Sequence, residues 1–166
     1  MNNNYLVPAQ RTRKPNMPCV SVVIPTYNSA AFIVDALTSI TGGDYKDVEI
    51  VVVDDGSTDT TVGIVKNQPG NIVLITQKNS GRGAARNNGV KHATGKYIAF
   101  LDHDDLLTPS SIAERIQYLE DHPDKGWVCT DAMEFDQSGD LRLFLNQFPW
   151  LDLDKDHFCQ LLKGCF

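Results

Sequence analysis

Short apolar runs and amphipathic stretches alternate along most of this chain. The runs are rich in β-branched residues and end at polar or acidic ones, which is typical of strands in a parallel sheet. The four predicted strands span residues 19–24, 48–53, 72–77 and 97–101. The last of them is short and contains two aromatic residues, so we expect it to be buried on both faces.

Three helices are predicted between these strands, ending near residues 40, 66 and 92. Asn28 is a good N-cap for the first helix, in which four apolar residues at helical spacing are expected to face the sheet. These residues are Phe32, Ala36, Leu37 and Ile40. The alternation of strand and helix predicts an α/β fold, with a mostly parallel sheet and helices on both faces.

Further elements are predicted after residue 105. Thr108 and Pro109 provide an N-cap and a first-turn proline for a helix with buried Ile112, Ile116 and Leu119. A strand at 127–130, a hairpin around the turn at 136–140 and a helix at 154–162 are expected to follow. We interpret residues 1–18 as a flexible lead-in and residues 19–166 as one domain.

Composition and charge exclude several classes of function. The chain has 166 residues and a net charge of -6, which argues against non-specific nucleic-acid binding. It lacks an apolar stretch of about 20 residues and a signal-peptide core, so we expect a cytoplasmic protein. The basic cluster of Arg11, Arg13 and Lys14 leaves association with the inner face of a membrane open. Oligomerisation is also left open. The four cysteines form no C-x-x-C pair and are interpreted as buried free thiols.

Two carboxylates follow the fourth predicted strand. If the chain stays extended here, the side chains of Asp102 and Asp104 would point to the same side of the strand, about 7 Å apart along the backbone. Their repulsion would be relieved by Mg²⁺ or Mn²⁺, which is often held by one or two carboxylates together with substrate phosphates. The alternative is that Asp102 and Asp105 cap the next helix while Asp104 is merely solvated. His103, between the two carboxylates, is expected to point away from both.

Polar residues also follow the first and second predicted strands. Ligands of parallel α/β sheets bind outside the carboxyl ends of the strands, where the strand order reverses. Residues 25–28, Asp54, Asp55 and the segment 102–105 are therefore expected to meet at one site.

Four motifs follow one another along the chain. They read VSVVIPTYN at 20–28, VVDDGSTD at 52–59, NSGRGAARNNG at 79–89 and LDHDD at 101–105. Together they resemble family 2 glycosyltransferases of the GT-A fold, over about residues 19–165. The resemblance implies a Rossmann-like sheet, incomplete here at its C-terminal end, and a nucleoside-diphosphate sugar donor bound with Mn²⁺ or Mg²⁺. It also implies transfer of the sugar to an acceptor hydroxyl with inversion.

The resemblance assigns roles to individual residues. Asp104 would be the direct metal ligand, and Asp102 would help to hold the metal, ribose or phosphate. Asp55 would accept a hydrogen bond from the base, which suits the imide N–H of uracil or the N–H groups of guanine and so favours UDP. The rest of the implied donor-nucleotide set is Pro25 and Tyr27 in the base pocket, with Thr26, Arg86 and His103. For Arg86, contact with the diphosphate and neutralisation of the aspartates are both open.

No residue of this chain is assigned as the catalytic base. The resemblance implies a base in a segment that we expect beyond Phe166, so this chain alone is expected to have very low transferase activity. A non-catalytic nucleotide-sugar-binding module that needs a further segment or partner is the alternative hypothesis. A nucleotidyltransferase, with a similar sheet and metal chemistry, is a third.

Overall fold

The computed structural model describes residues 20–130, 132–135 and 141–143. It divides into two compact units, one described over residues 20–126 and the other over the described residues that follow Gly126. The elements of the first unit are β1 Val20–Thr26, α1 Ile33–Thr41, β2 Val48–Asp54, α2 Thr61–Lys66, β3 Ile72–Thr76, α3 Arg82–His92, β4 Tyr97–Phe100 and α4 Ser111–Asp121. The second unit contains an antiparallel pair, β5 Met133–Phe135 and β6 Leu141–Leu143, which confirms the predicted hairpin.

The first unit is built on a parallel sheet with the strand order β3-β2-β1-β4. The register pairs Thr26 with Asp54 and Asp54 with Thr76, so three strands end at the same level. The chain moves outward from β1 to β2 and β3, then returns to place β4 on the other side of β1. The strand order therefore reverses between β1 and β4, and the predicted α/β class is confirmed.

Helices cover both faces of the sheet. On one face α1, α2 and α4 pack on alternate residues of the central strands, including Val22, Ile24 and Val52. On the other face α3 packs on Val23, Val51 and Val53. Because both faces are covered, the central strands are apolar at nearly every position, as the sequence predicted.

Helix α3 approaches the sheet closely at Gly89. A Cβ atom added there would lie 2.4 Å from Val23 Cγ1 and 3.1 Å from Val53 Cγ2. Only a residue without a side chain fits between the helix backbone and these two valines, so Gly89 fixes the distance between α3 and the sheet.

Several predicted boundaries and burials are wrong. Asn28 does not cap α1, which begins five residues later with Phe32 at its N-cap. Phe32 was predicted to face the sheet but is 53% exposed, and Ile33 is buried in its place. β4 is not buried on both faces: its residues are partly buried at most, and Phe100 is 53% exposed. Among the described residues β4 pairs with β1 alone, so it is an edge strand of the sheet.

The predicted elements after β4 also differ from those in the structure. Helix α4 begins at Ser111 with Ser110 as its N-cap, two residues beyond the predicted start at Pro109. Residues 127–130 form no strand, and Cys129 is an exposed free thiol rather than a buried one. The lead-in at 1–18, the helix at 154–162 and the other three cysteines lie outside the described residues. None of the described helices combines the length and apolar character that crossing a bilayer requires.

The fit of Gly89 gives a testable prediction for stability. We expect Gly89→Ala to lower the free energy of unfolding by about 1–3 kcal/mol, because the new methyl group overlaps Val23. Gly83→Ala, on the same helix, has nothing within 4 Å of the new methyl group and serves as the control. The control should be neutral or stabilising by up to about 1 kcal/mol. Urea denaturation of both variants tests this, and equal stabilities would contradict it.

Candidate functional site

The structure brings the three predicted strand-end segments to one edge of the sheet. β1 and β2 end side by side at Thr26 and Asp54, and the backbone N–H of Leu101 donates to the carbonyl of Val23 at 3.2 Å. Since neighbouring strands lie about 4.8 Å apart, Asp55 and the segment after β4 are separated by roughly 10 Å across the end of β1. This edge includes the point between β1 and β4 where the strand order reverses, which is the usual ligand position in such sheets.

Asp55 is one of two buried carboxylates that the structure describes at this edge, and the other is Asp54, which is 3% exposed. Asp55 is 4% exposed, and its side chain accepts three hydrogen bonds. Oδ1 accepts from Gln77 Nε2 at 2.7 Å and from the backbone N–H of Ser80 at 2.8 Å, and Oδ2 accepts from the backbone N–H of Gly81 at 2.8 Å. Burial alone would raise the pKa of Asp55, but these three donors together lower the pKa below its ordinary value. The carboxylate is therefore ionised and fastens the loop that leads into α3.

Gln77 is itself held by a neighbour on α3. Asn88 Nδ2 donates to Gln77 Oε1 at 2.7 Å, so a relay runs from Asn88 through Gln77 to Asp55. We call these three residues the amide relay. Sequence reasoning missed the roles of Gln77 and Asn88. Gln77 directly follows β3, and Asn88 lies in the motif at 79–89, but no role was assigned to either residue.

The loops after β1 and β2 are joined by side-chain hydrogen bonds. Asn28, with a positive φ of 50°, accepts at Oδ1 from the backbone N–H of Thr58 at 2.8 Å, and its own N–H donates to Ser57 Oγ at 2.9 Å. Asp59 Oδ2 accepts from the N–H of Ala30 at 3.2 Å. Asn28 therefore connects two loops instead of capping a helix, which corrects its predicted role.

Arg86 and Asp102 form an ion pair across the site. Arg86 Nη2 lies 2.5 Å from Asp102 Oδ1, and both side chains are about one third exposed. Of the two roles left open for Arg86, the structure shows the neutralisation of an aspartate. Because Arg86 belongs to α3 and Asp102 follows β4, the pair fixes the helix against the strand end.

The chain turns immediately after Asp102. The N–H of Asp105 donates to the carbonyl of Asp102 at 3.1 Å, so residues 102–105 are not extended. His103 therefore does not point away from Asp104: its Nδ1 lies 3.9 Å from Asp104 Oδ1 and is buried, with no hydrogen-bond partner in the part of the chain that the structure describes. The prediction that Asp102 and Asp104 face the same side rested on an extended chain, which this turn replaces.

Carboxylates concentrate negative charge in this turn. The side chain of Asp104 is 59% exposed. Burial raises the pKa of Asp105, and the negative charges of Asp104 and Asp102 raise it further against a smaller opposing effect of His103. Within the described residues no three His, Cys, Asp or Glu side chains form a complete metal-binding group. The residues fit a divalent ion of the kind that is held by one or two carboxylates and completed by phosphate oxygens.

The remaining predicted residues lie beside these carboxylates. Pro25 is buried opposite Val53 in the sheet, and Thr26 is 2% exposed with its hydroxyl directed to the carbonyl of Ile24. Tyr27, directly after β1, is 45% exposed. Asp54 accepts from the N–H of Ser57 at 3.1 Å through Oδ2, as a turn-capping residue does. Its Oδ1 is buried and has no partner among the described residues.

Comparison with known proteins identifies the family of this site. The model of Glycosyl transferase family 2 matches residues 21–159. The chain belongs to glycosyltransferase family 2. This confirms the resemblance inferred from the four motifs.

Family 2 relatives and solved structures agree with this assignment. An uncharacterized glycosyltransferase of Rickettsia prowazekii is 40% identical over 61% of this chain, and one of Rickettsia bellii is 33% identical over 83%. The crystal structure of S. aureus TarS 1–349 in complex with UDP-GlcNAc has a TM-score of 0.60 and 34% identity over 63% of this chain. The mannosyltransferase PcManGT of Pyrobaculum calidifontis, in complex with GDP-Man and Mn²⁺, has a TM-score of 0.59 and 33% identity over 64%.

These neighbours are GT-A transferases, which confirms the predicted fold class. The chain covers 32% and 20% of the two Rickettsia proteins and 32% and 33% of the two solved chains. It therefore spans a third or less of each of these proteins, and the described sheet corresponds to one portion of a larger fold.

The hydrogen bonds of Asp55 give a prediction for the pH dependence of stability. We expect Asp55→Asn to lower the free energy of unfolding by about 1–3 kcal/mol at pH 7, because an amide cannot accept from all three donors. The folded-state pKa of Asp55 is depressed, so its stabilising contribution is present above the unfolded pKa of about 3.9. That contribution is lost as the pH falls through the lower folded-state value. The difference between wild type and variant should therefore begin to shrink as the pH falls below about 4, and it should be smaller at pH 3 than at pH 7.

Urea denaturation at several pH values between 3 and 7 measures this difference. Asp35→Asn, on the exposed face of α1, is the control and should change stability by less than about 0.5 kcal/mol throughout. A destabilisation of Asp55→Asn that is the same at pH 3 and pH 7 would show that ionisation of Asp55 is not its cause.

Proposed function

We propose that this family 2 domain binds a nucleoside-diphosphate sugar, with UDP as its nucleotide, at the carboxyl edge of the sheet. A Mg²⁺ or Mn²⁺ ion binds with it, and the sugar passes to an acceptor hydroxyl with inversion at the anomeric carbon. The observation that carries the proposal is the position of two groups of carboxylates on either side of β1, where the strand order reverses. Complexes of similar proteins with UDP-GlcNAc and with GDP-Man and Mn²⁺ support this class of ligand.

The proposed base site lies at the ends of β1 and β2. Asp55 is ionised and accepts hydrogen bonds, so it is suited to a base that presents an N–H group. The exposed ring of Tyr27 offers a stacking surface beside it, and Pro25 and Thr26 form the strand end beneath. The rigid loops around Asp59 and Thr58 hold this part of the site in place.

The proposed diphosphate site lies at the end of β4. Asp104, with Asp102, would hold the divalent ion, which supplies a Lewis acid that neutralises charge on the departing diphosphate. Arg86 balances the negative charge of Asp102 and orients its side chain. The carboxylate of Asp104 is therefore the more exposed and the less neutralised of the two. His103 packs beside Asp104 within the same turn.

In the proposed reaction the acceptor oxygen forms a bond to the anomeric carbon as the bond from that carbon to the diphosphate oxygen breaks. The proton of the acceptor hydroxyl goes to a carboxylate base, and the nucleoside diphosphate leaves with the bonding electron pair. One displacement of this kind inverts the configuration at the anomeric carbon. The described residues provide the donor half of this reaction, and none of them is assigned as the base.

A second candidate is donor binding without turnover. It is favoured by the fact that the chain covers a third or less of the relatives and solved structures described above. Release of UDP from UDP-sugars by the isolated chain, measured with common acceptors present, distinguishes the two. We expect very low turnover alongside metal-dependent UDP binding, and robust turnover would show that the chain contains its own base.

The metal assignment gives a direct binding prediction. We expect isothermal titration calorimetry to detect UDP binding in the presence of Mn²⁺ and to detect none for Asp104→Ala, because the variant lacks the direct ligand of the ion. Asp121→Ala removes an exposed carboxylate at the far end of α4 and is the control. The control should bind as the wild type does. Unchanged affinity in Asp104→Ala would refute the assignment of Asp104.

A further inference from the structure

The identity of the nucleobase is not decided by likeness to solved structures. Similar proteins at 34% and 33% identity hold UDP-GlcNAc and GDP-Man, so both uracil and guanine occur among them. An ionised carboxylate accepts from either base, since uracil offers one imide N–H and guanine offers a ring N–H beside an amine. The choice must therefore depend on what surrounds Asp55.

The geometry points to Gln77, oriented by Asn88, as the residue that restricts the site to uracil. This inference rests on the proposed function, because it assumes that Asp55 meets the base. Gln77 acts as the specificity-determining residue and Asn88 as a positioning residue that acts through it.

The first step is the saturation of one oxygen of Asp55. A carboxylate oxygen has two lone pairs, and both on Oδ1 are taken, by Gln77 Nε2 and by the N–H of Ser80. Oδ2 accepts from Gly81 and keeps one lone pair. Asp55 therefore has room for a single further N–H donor.

The second step is the fixed direction of the Gln77 amide. Asn88 Nδ2 donates to Gln77 Oε1, so Nε2 is the end that faces Asp55. A reversed Gln77 amide would place Oε1 against a carboxylate oxygen of Asp55, which is repulsive, so the acceptor on Asp55 and the donor on Asn88 favour the same orientation. The second hydrogen of Nε2 has no partner among the described residues and is available to a ligand carbonyl.

The third step compares the one free acceptor on Asp55 and the one free donor on Gln77 with the hydrogen-bonding edges of the bases. Uracil presents its single N–H between two carbonyls, which matches one acceptor on Asp55 with one N–H donor on Gln77. Guanine has a carbonyl on one side of its ring N–H and an amine on the other, and in neither placement does the amine find an acceptor on Asp55. Turned toward Gln77, the amine would need the saturated Oδ1; turned the other way, it lies beyond Oδ2, whose remaining lone pair accepts the ring N–H. Adenine and cytosine carry a ring-nitrogen acceptor where uracil carries its N–H. Leaving a buried donor unpaired lowers affinity on the order of tenfold, so UDP should be preferred over GDP.

The test measures the affinities of UDP and GDP by titration calorimetry with Mn²⁺ present. Gln77→Met keeps a side chain of similar length but frees Oδ1, and Asn88→Asp reverses the Gln77 amide because the new carboxylate attracts Nε2. Asn87→Asp, exposed on the same helix, makes the same charge change away from the relay and is the matched control.

We expect the wild type to bind UDP at least about tenfold more tightly than GDP. The ratio of the two affinities should fall at least fivefold in Gln77→Met and in Asn88→Asp and stay unchanged in Asn87→Asp. An unchanged ratio in both relay variants, or a wild type that prefers GDP, would overturn the inference and leave nucleoside-diphosphate binding intact. A wild type that binds neither nucleotide would overturn the proposed function and this inference together.

Discussion

A buried carboxylate tied to three N–H donors holds the carboxyl edge of this sheet in one conformation. Asp55 follows β2, yet its partners belong to the end of β3 and to the start of α3. Two of the partners are the backbone N–H groups of Ser80 and Gly81, immediately before the first turn of the helix. A negative charge at a helix N-terminus is stabilised by the helix dipole as well as by hydrogen bonds. The protein thus supplies its own anion at the N-terminal end of α3.

Helix α3 connects the two halves of the site because it is fixed at three places. Its N-terminal end is held by Asp55, Arg86 in its second turn pairs with Asp102, and Gly89 brings its backbone against Val23. A movement of α3 would disturb all three contacts at once. The spacing between the proposed base site and the proposed metal site therefore depends on how the helix packs, and a stability defect at Gly89 would affect both.

Much of the fold was predictable because burial on both sides of a parallel sheet leaves few choices. The apolar runs marked β1, β2 and β3 to within two residues, and the acidic residues after them marked the proposed ligand-binding edge.

The features that the sequence did not predict depend on the local direction of the backbone. Asn28 was expected to cap a helix because its side chain favours such positions, but its amide accepts from Thr58 in the adjacent loop instead. His103 was misplaced because a turn, rather than an extended strand, follows Asp102. The amide relay was missed because Gln77 and Asn88 are eleven residues apart and become neighbours only when α3 packs on the sheet.

The carboxylates at this edge differ in how their charge is balanced, and this difference explains the form of the proposed metal site. Asp55 is satisfied by N–H donors and Asp102 by a guanidinium, which leaves the exposed Asp104 beside Asp105, whose pKa is raised by partial burial and by the neighbouring carboxylates. One or two carboxylates bind a divalent ion weakly on their own, because hard cations require about six oxygen ligands and give up water reluctantly. The missing oxygens are those of a diphosphate. In the proposed site the ion and the nucleotide therefore bind together, since each supplies what the other needs: the phosphates complete the coordination, and the cation removes the repulsion between them and the aspartates.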